Sequence, residues 1–177
     1  MGLMSKQPVP RPQVTPPATC DLCDNYRDDA SGAFRVLPPR WQAYGGVAAF
    51  CGSVSTVQCF EDNSLVRAAL ESPGAGRVLV IDGGGSLRTA LVGGNLALLA
   101  VKSGWAGVVV DGCVRDHAEL AACALGIRAL GLCPMPPAKR GAGQRDVPVR
   151  LQGVWVRPGD WLCADADGMV VLDRAPE

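Results

Sequence analysis

Two aliphatic runs constrain this chain more than any other feature: Val78-Leu79-Val80-Ile81-Asp82 and Val108-Val109-Val110-Asp111, each closing on an aspartate and then a glycine. Neither alternates apolar with polar residues, so each reads as a strand buried on both faces, as in a parallel sheet. Parallel neighbours need a crossover connection, and the intervening sequence supplies one. Gly93-Gly94 opens an apolar helical stretch at 95–103, which Gly104 stops. Ahead of the first run, Asp62 or Asn63 caps a helix with the apolar face Leu65, Val66, Ala69 and Leu70, broken by Pro73-Gly74. Another helix is expected at 117–125. Strand, helix, strand, helix at this spacing is α/β architecture.

The flanks read differently. Residues 1–18 are rich in proline and predict a flexible tail, leaving 19–177 as a single domain. Thr19 is placed to cap a short helix through Tyr26, with Asp21 in its first turn. Strands are expected at 44–51 and 53–59, and four more at 147–151, 154–157, 161–164 and 169–172, separated by glycine-containing turns. The whole is a layered α/β domain with a β-rich C-terminal part.

Composition excludes several functions. Of 177 residues 48% are hydrophobic and 19% charged, which suits one buried core. Lys+Arg and Asp+Glu both number 17, with no lysine-rich tract, so no basic face for nucleic acid is expected. Apolar stretches such as 97–101 are far too short to cross a bilayer. The eight cysteines are scattered among apolar neighbours, and no secretory signal precedes them. They read as free thiols in a reducing cytoplasm. Cys20-Asp21-Leu22-Cys23 is a lone CxxC in a chain with one histidine, too few ligands for zinc.

Three segments offer chemistry. Asp82-Gly83-Gly84-Gly85 follows a strand as a phosphate loop does, yet lacks the Gly-Lys-Ser/Thr ending and the GxGxxG spacing, so a tight turn is expected. Gly93-Gly94-Asn95-Leu96 stands at a helix start, where unpaired N–H groups and the helix dipole favour a carboxylate. Taken alone, the reading of Asn95 as a plain N-cap is slightly favoured. In Asp111-Gly112-Cys113-Val114-Arg115-Asp116 a buried strand stops on Asp-Gly and then brings opposite charges to one rim. The arginine can fork onto a carboxylate and the aspartate can hold a hard metal ion. A solvated ion pair is the ordinary fate of such a dipeptide; its place after a parallel-type strand favours function. His117 is expected to open a helix facing solvent, and Asp165-Ala166-Asp167-Gly168 to form a hairpin turn.

Five segments together resemble the RraA-like family: Cys20 to Tyr26, Val57 to Leu65, Arg77 to Leu87, Trp105 to Asp116 and Ala164 to Val171. That family comprises 4-hydroxy-4-methyl-2-oxoglutarate aldolases, which also decarboxylate oxaloacetate, and regulators of ribonuclease activity. The resemblance implies an α/β/β/α swivelling-type (phosphohistidine-domain-like) fold, assembled as a homotrimer or a hexamer with sites between subunits. It implies a small 2-oxo-acid substrate held by Gly93, Gly94, Asn95, Leu96 and Arg115. It makes Arg115 and Asp116 the catalytic pair and Asp116 the ligand of Mg²⁺ or Mn²⁺. One departure stands out: the aldolases commonly carry an acidic residue where this chain has Gly94.

Two functions follow from the resemblance. The first is a metal-dependent lyase cleaving 4-hydroxy-4-methyl-2-oxoglutarate and 4-carboxy-4-hydroxy-2-oxoadipate to pyruvate, and decarboxylating oxaloacetate. Both reactions leave a pyruvate enolate, which a divalent ion stabilises as a Lewis acid. Lysines occur only at 6, 102 and 139, none in these motifs, which disfavours a Schiff-base mechanism. The second is a non-catalytic protein that binds and inhibits an RNA-degrading enzyme. Asp116 favours the first.

Overall fold

A computed structural model describes residues 15–177; most of the proline-rich 1–18 segment lies outside the described residues. The elements run α1 (Thr19–Asn25), β1 (Phe34–Val36), β2 (Gln42–Ala43), β3 (Phe50–Gln58), α2 (Ser64–Glu71), β4 (Val78–Asp82), β5 (Ala90–Val92), α3 (Gly94–Lys102), β6 (Gly107–Val114), α4 (His117–Ala122), β7 (Gly126–Leu132), β8 (Gln144–Arg145), β9 (Val149–Leu151), β10 (Val154–Val156), β11 (Trp161–Ala164) and β12 (Met169–Leu172). Among the described residues no helix is long and apolar enough to cross a membrane.

The result is a mixed α/β fold on one large sheet, ordered β1-β12-β11-β3-β4-β6-β7-β2. Its centre is parallel, as the aliphatic runs require: β3, β4, β6 and β7 pair in register, with Asp82 opposite Asp111. One face of these strands, through Leu79, Ile81, Val108 and Val110, packs on Val66, Leu70, Leu96, Ala97 and Leu120 of the three helices. The opposite face, through Val78, Val80 and Val109, packs on Leu151, Leu162, Ala164, Met169 and Val171. In β11 and β12 the residues alternate strictly: Leu162, Ala164 and Val171 point to that second core, while Cys163, Val170 and Leu172 point outward to Leu22 of α1. Helices, parallel strands, antiparallel strands and α1 are thus stacked in turn. The long strand β3 joins the two β layers, since residues 50–53 pair with β11 and 54–58 with β4.

Several local expectations are corrected. The strand expected at 44–51 is only the two-residue β2 ahead of Tyr44, while β3 starts at Phe50. Thr19 is not a cap but lies inside α1, where its N–H and Oγ1 both donate to the Asp165 carboxylate at 2.7 Å. The carboxylate that serves α2 is Asp62, whose Oδ1 accepts from Ser64 N–H at 2.9 Å. The helix at 117–125 stops at Ala122, because the chain turns into β7. The cysteines are not all free: Cys51 and Cys163 form a disulfide, because β3 and β11 set them directly opposite one another in antiparallel register. The six other thiols are free.

The two predicted turns are turns. Gly84 N–H donates to Asp82 Oδ1 at 2.9 Å and Gly85 N–H to the Asp111 carbonyl at 3.0 Å, so these amides are spent internally rather than on a phosphate. Asp165 to Gly168 closes the β11–β12 hairpin.

Candidate functional site

The strand β6 does not stop at Asp111-Gly112 as its sequence suggests; it runs on, fully buried, to Val114. Its extension is explained by β5, which pairs in parallel with Cys113 and Val114 beyond the end of β4. Two parallel strands therefore end side by side, and both candidate loops leave from them. Arg115 N–H donates to the Val92 carbonyl at 3.0 Å, which fixes the second loop against the first. This is the sheet edge at which open α/β folds place ligands.

Asp116 adopts a left-handed conformation (φ 62°, ψ 49°) and turns the chain into α4. Aspartate tolerates that region better than most residues. The turn swings its carboxylate back over α3, where Oδ2 accepts the Gly94 N–H at 2.9 Å. The first bond within α3 runs from Ala97 N–H to the Gly93 carbonyl, so the amides of Asn95 and Leu96 also precede any helical acceptor. Gly93, not Asn95, is the N-cap residue. A Cβ on Gly93 would lie 2.6 Å from Asp116 Oδ2 and 3.2 Å from Arg115 Cγ, so only glycine lets the two loops approach this closely.

Arg115 Nε lies 3.9 Å from Asp116 Oδ2, a loose pair with both side chains about two-fifths exposed (41% and 39%). Its Nη1 donates to the Pro134 carbonyl at 3.3 Å, which leaves most guanidinium donors uncommitted. With His117, Leu132, Cys133 and Pro134 these two residues line a recess of about 260 Å³. Asn95 is exposed, whereas Leu96 is buried in the helical core and offers only its amide. His117 opens α4 exposed to solvent, its ring edge-on to Tyr44.

The structure thus brings together all six residues singled out by sequence: Gly93, Gly94, Asn95, Leu96, Arg115 and Asp116. It adds one that sequence reasoning passed over. Gly94 is buried, and a Cβ there would overlap a carboxylate oxygen of Glu119 on α4 and lie 2.8 Å from its Cδ.

The donor set suits a hard cation. Among the described residues no group of three or more His, Cys, Asp or Glu is placed to hold a metal ion. A divalent ion here would therefore rest on Asp116 and take its other ligands from water and substrate, the usual habit of Mg²⁺.

The family model "RraA-like: Aldolase/RraA" matches residues 19–171. This chain belongs to the RraA-like family. A relative from Albidiferax ferrireducens named "Putative 4-hydroxy-4-methyl-2-oxoglutarate aldolase" is 64% identical, over 87% of this chain and 94% of its own length. The solved structure of the RNA-processing inhibitor RraA from Thermus thermophilis is 50% identical with a TM-score of 0.86, covering 91% of this chain and 95% of that one. A Geobacillus kaustophilus structure described as an S-adenosylmethionine:2-dimethylmenaquinone methyltransferase is 47% identical with a TM-score of 0.83, covering 89% of this chain and 96% of that one. The relatives of this RraA-like protein thus carry three different descriptions, and the site must arbitrate between them.

Proposed function

We propose that this RraA-like protein is a divalent-metal-dependent lyase. It cleaves 4-hydroxy-4-methyl-2-oxoglutarate and 4-carboxy-4-hydroxy-2-oxoadipate to pyruvate, and decarboxylates oxaloacetate at the same place. The observation that carries the reading is the Gly94–Asp116 contact, which pins one oxygen of an exposed carboxylate while Arg115 stands beside it.

Asp116 would hold Mg²⁺ or Mn²⁺, and the bound ion would supply Lewis-acid polarisation of the 2-oxo group. The chain's own residues do the rest. Arg115 takes a substrate carboxylate by charge-assisted hydrogen bonds. The Asn95 and Leu96 amides at the start of α3 face a second acidic oxygen, with the positive end of the helix dipole behind them. Lys102 lies at the far end of α3, so no amine is at hand for a Schiff base from this helix. We read the stacking of helices, two β layers and α1 as that of swivelling-type α/β/β/α domains. We also place the protein in a homotrimer or hexamer; the exposure of Arg115 and Asp116 leaves room for a neighbouring subunit over the recess.

A pyruvate-coupled assay with and without chelator tests the reading on wild type, Asp116→Ala and Arg115→Ala. Metal-dependent pyruvate release is expected from wild type, lost in Asp116→Ala and strongly reduced in Arg115→Ala. Release that ignores chelator, or an Asp116→Ala variant as active as wild type, removes the lyase. The remaining reading is then a non-catalytic inhibitor of an RNA-degrading enzyme, favoured by the likeness to the Thermus protein.

A further inference from the structure

Gly94 and Glu119 compete for one volume. The main-chain N–H of Gly94 binds Asp116, while the space where its side chain would stand is filled by the carboxylate of Glu119. Two carboxylates, Asp116 just ahead of α4 and Glu119 within it, therefore converge on one residue at the start of α3, one at the helix amide and one at the missing side chain. Among the described residues Glu119 makes no ion pair, although it projects from the exposed side of a short helix. It is a carboxylate without an ion pair, held against Gly94, the residue whose N–H binds Asp116.

We infer that Glu119 is the proton carrier of the aldol cleavage; this rests on the lyase reading above. The Glu119 carboxylate accepts the proton of the substrate's C4 hydroxyl. As the C4–O bond becomes a carbonyl, the C3–C4 bond breaks and its electron pair stays on C3 as the enolate of pyruvate. The proton held by Glu119 then passes to C3, which gives the methyl group and restores the carboxylate. Decarboxylation of oxaloacetate breaks a bond to a carboxylate and releases CO₂, with no hydroxyl proton to remove. A base at Glu119 therefore matters more for cleavage than for decarboxylation. A residue that merely props up the loop would affect both alike.

Glu119→Gln keeps the size of the side chain and removes the base. Its expected effect is a loss of kcat for aldol cleavage of ~100-fold, the lower end for a positioned acid–base group, and a loss for oxaloacetate decarboxylation at least tenfold smaller. Mn²⁺ binding, followed by calorimetry without substrate, is expected to vanish in Asp116→Ala and to survive in Glu119→Gln. Gly94→Ala is expected to push the exposed Glu119 side chain aside with little change in melting temperature, and to reproduce part of the Glu119→Gln loss in cleavage. Wild-type protein silent on both substrates overturns the lyase reading and this role with it. Wild-type turnover with equal losses in the two reactions, or with none, overturns the role of Glu119 alone. So does loss of Mn²⁺ binding in Glu119→Gln, which would make that side chain a metal ligand.

Discussion

The Gly94 main-chain N–H donates to Asp116 Oδ2 at 2.9 Å across 22 residues of sequence. This single contact ties the loop after β5 to the loop after β6 and orients the one carboxylate proposed to carry metal. Asp116→Asn keeps an acceptor for Gly94 and a residue type that tolerates the left-handed backbone, but removes the charge. It is expected to melt near wild type and to bind no Mn²⁺. Asp116→Ala loses the contact as well and pays for the backbone conformation, a destabilisation of about 1–2 kcal/mol. Parallel thermal melts and calorimetric titrations separate the two effects.

Arg115→Lys preserves charge and removes the fork. If Arg115 grips a planar carboxylate, lysine is a poor substitute, and KM for the oxo-acid is expected to rise by about tenfold or more, the scale of one charge-assisted hydrogen bond. Steady-state kinetics with pyruvate detection checks this.

Burial pushes the Cys59 thiol up to about 12, with Asp62 and Asp82 adding to the effect. Cys20 is exposed, although the neighbouring Asp167 carboxylate also holds its thiol above the ordinary range. Alkylation of the native protein near pH 8 is expected to label Cys20 and to leave Cys59 unmodified until the chain unfolds. Peptide mass spectrometry reads the pattern.

Reducing the Cys51–Cys163 bond opens a loop spanning 112 residues. On chain-entropy grounds a closure of this length contributes up to about 4–5 kcal/mol. The denaturant midpoint is expected to fall on adding dithiothreitol, and to be insensitive to it in Cys51→Ala.

Asp111 sits opposite Asp82 in the middle of the sheet, where burial raises its carboxyl above the usual range despite a 2.8 Å hydrogen bond from Gln152. The folded carboxyl therefore keeps its proton at a pH where the unfolded chain has lost it. Its contribution is undiminished below the ordinary aspartate range and declines as pH rises from there through the folded value. Asp111→Asn still accepts the Gln152 bond and is expected to flatten this part of the stability–pH profile, measured by denaturant melts from pH 4 to 8.

The parallel core and the clustering of the six candidate residues were legible because their signals are local: aliphatic runs, a glycine pair, an Arg-Asp dipeptide. The missed elements depend on partners. β5 is three residues long and exists because β6 extends beyond β4 to receive it. β7 contains Arg128, which breaks any apolar pattern; the side chain is buried and donates to the carbonyls of Ala48 and Asp165 at 2.6 and 3.0 Å. The disulfide follows from the β3–β11 register, invisible at a separation of 112 residues. Glu119 looks like any exposed helical glutamate until α4 is laid beside the start of α3.

The antiparallel layer is assembled from β1 near one end of the chain, the first half of β3, and β11 and β12 near the other. During synthesis, Val78, Val80 and Val109 have only Leu37, Phe50 and their neighbours on that side until residues 149–171 leave the ribosome. A nascent or prematurely terminated chain therefore displays a sticky β surface rather than a smaller stable domain. Translation of β9 to β12 is the step that completes the cover of this face.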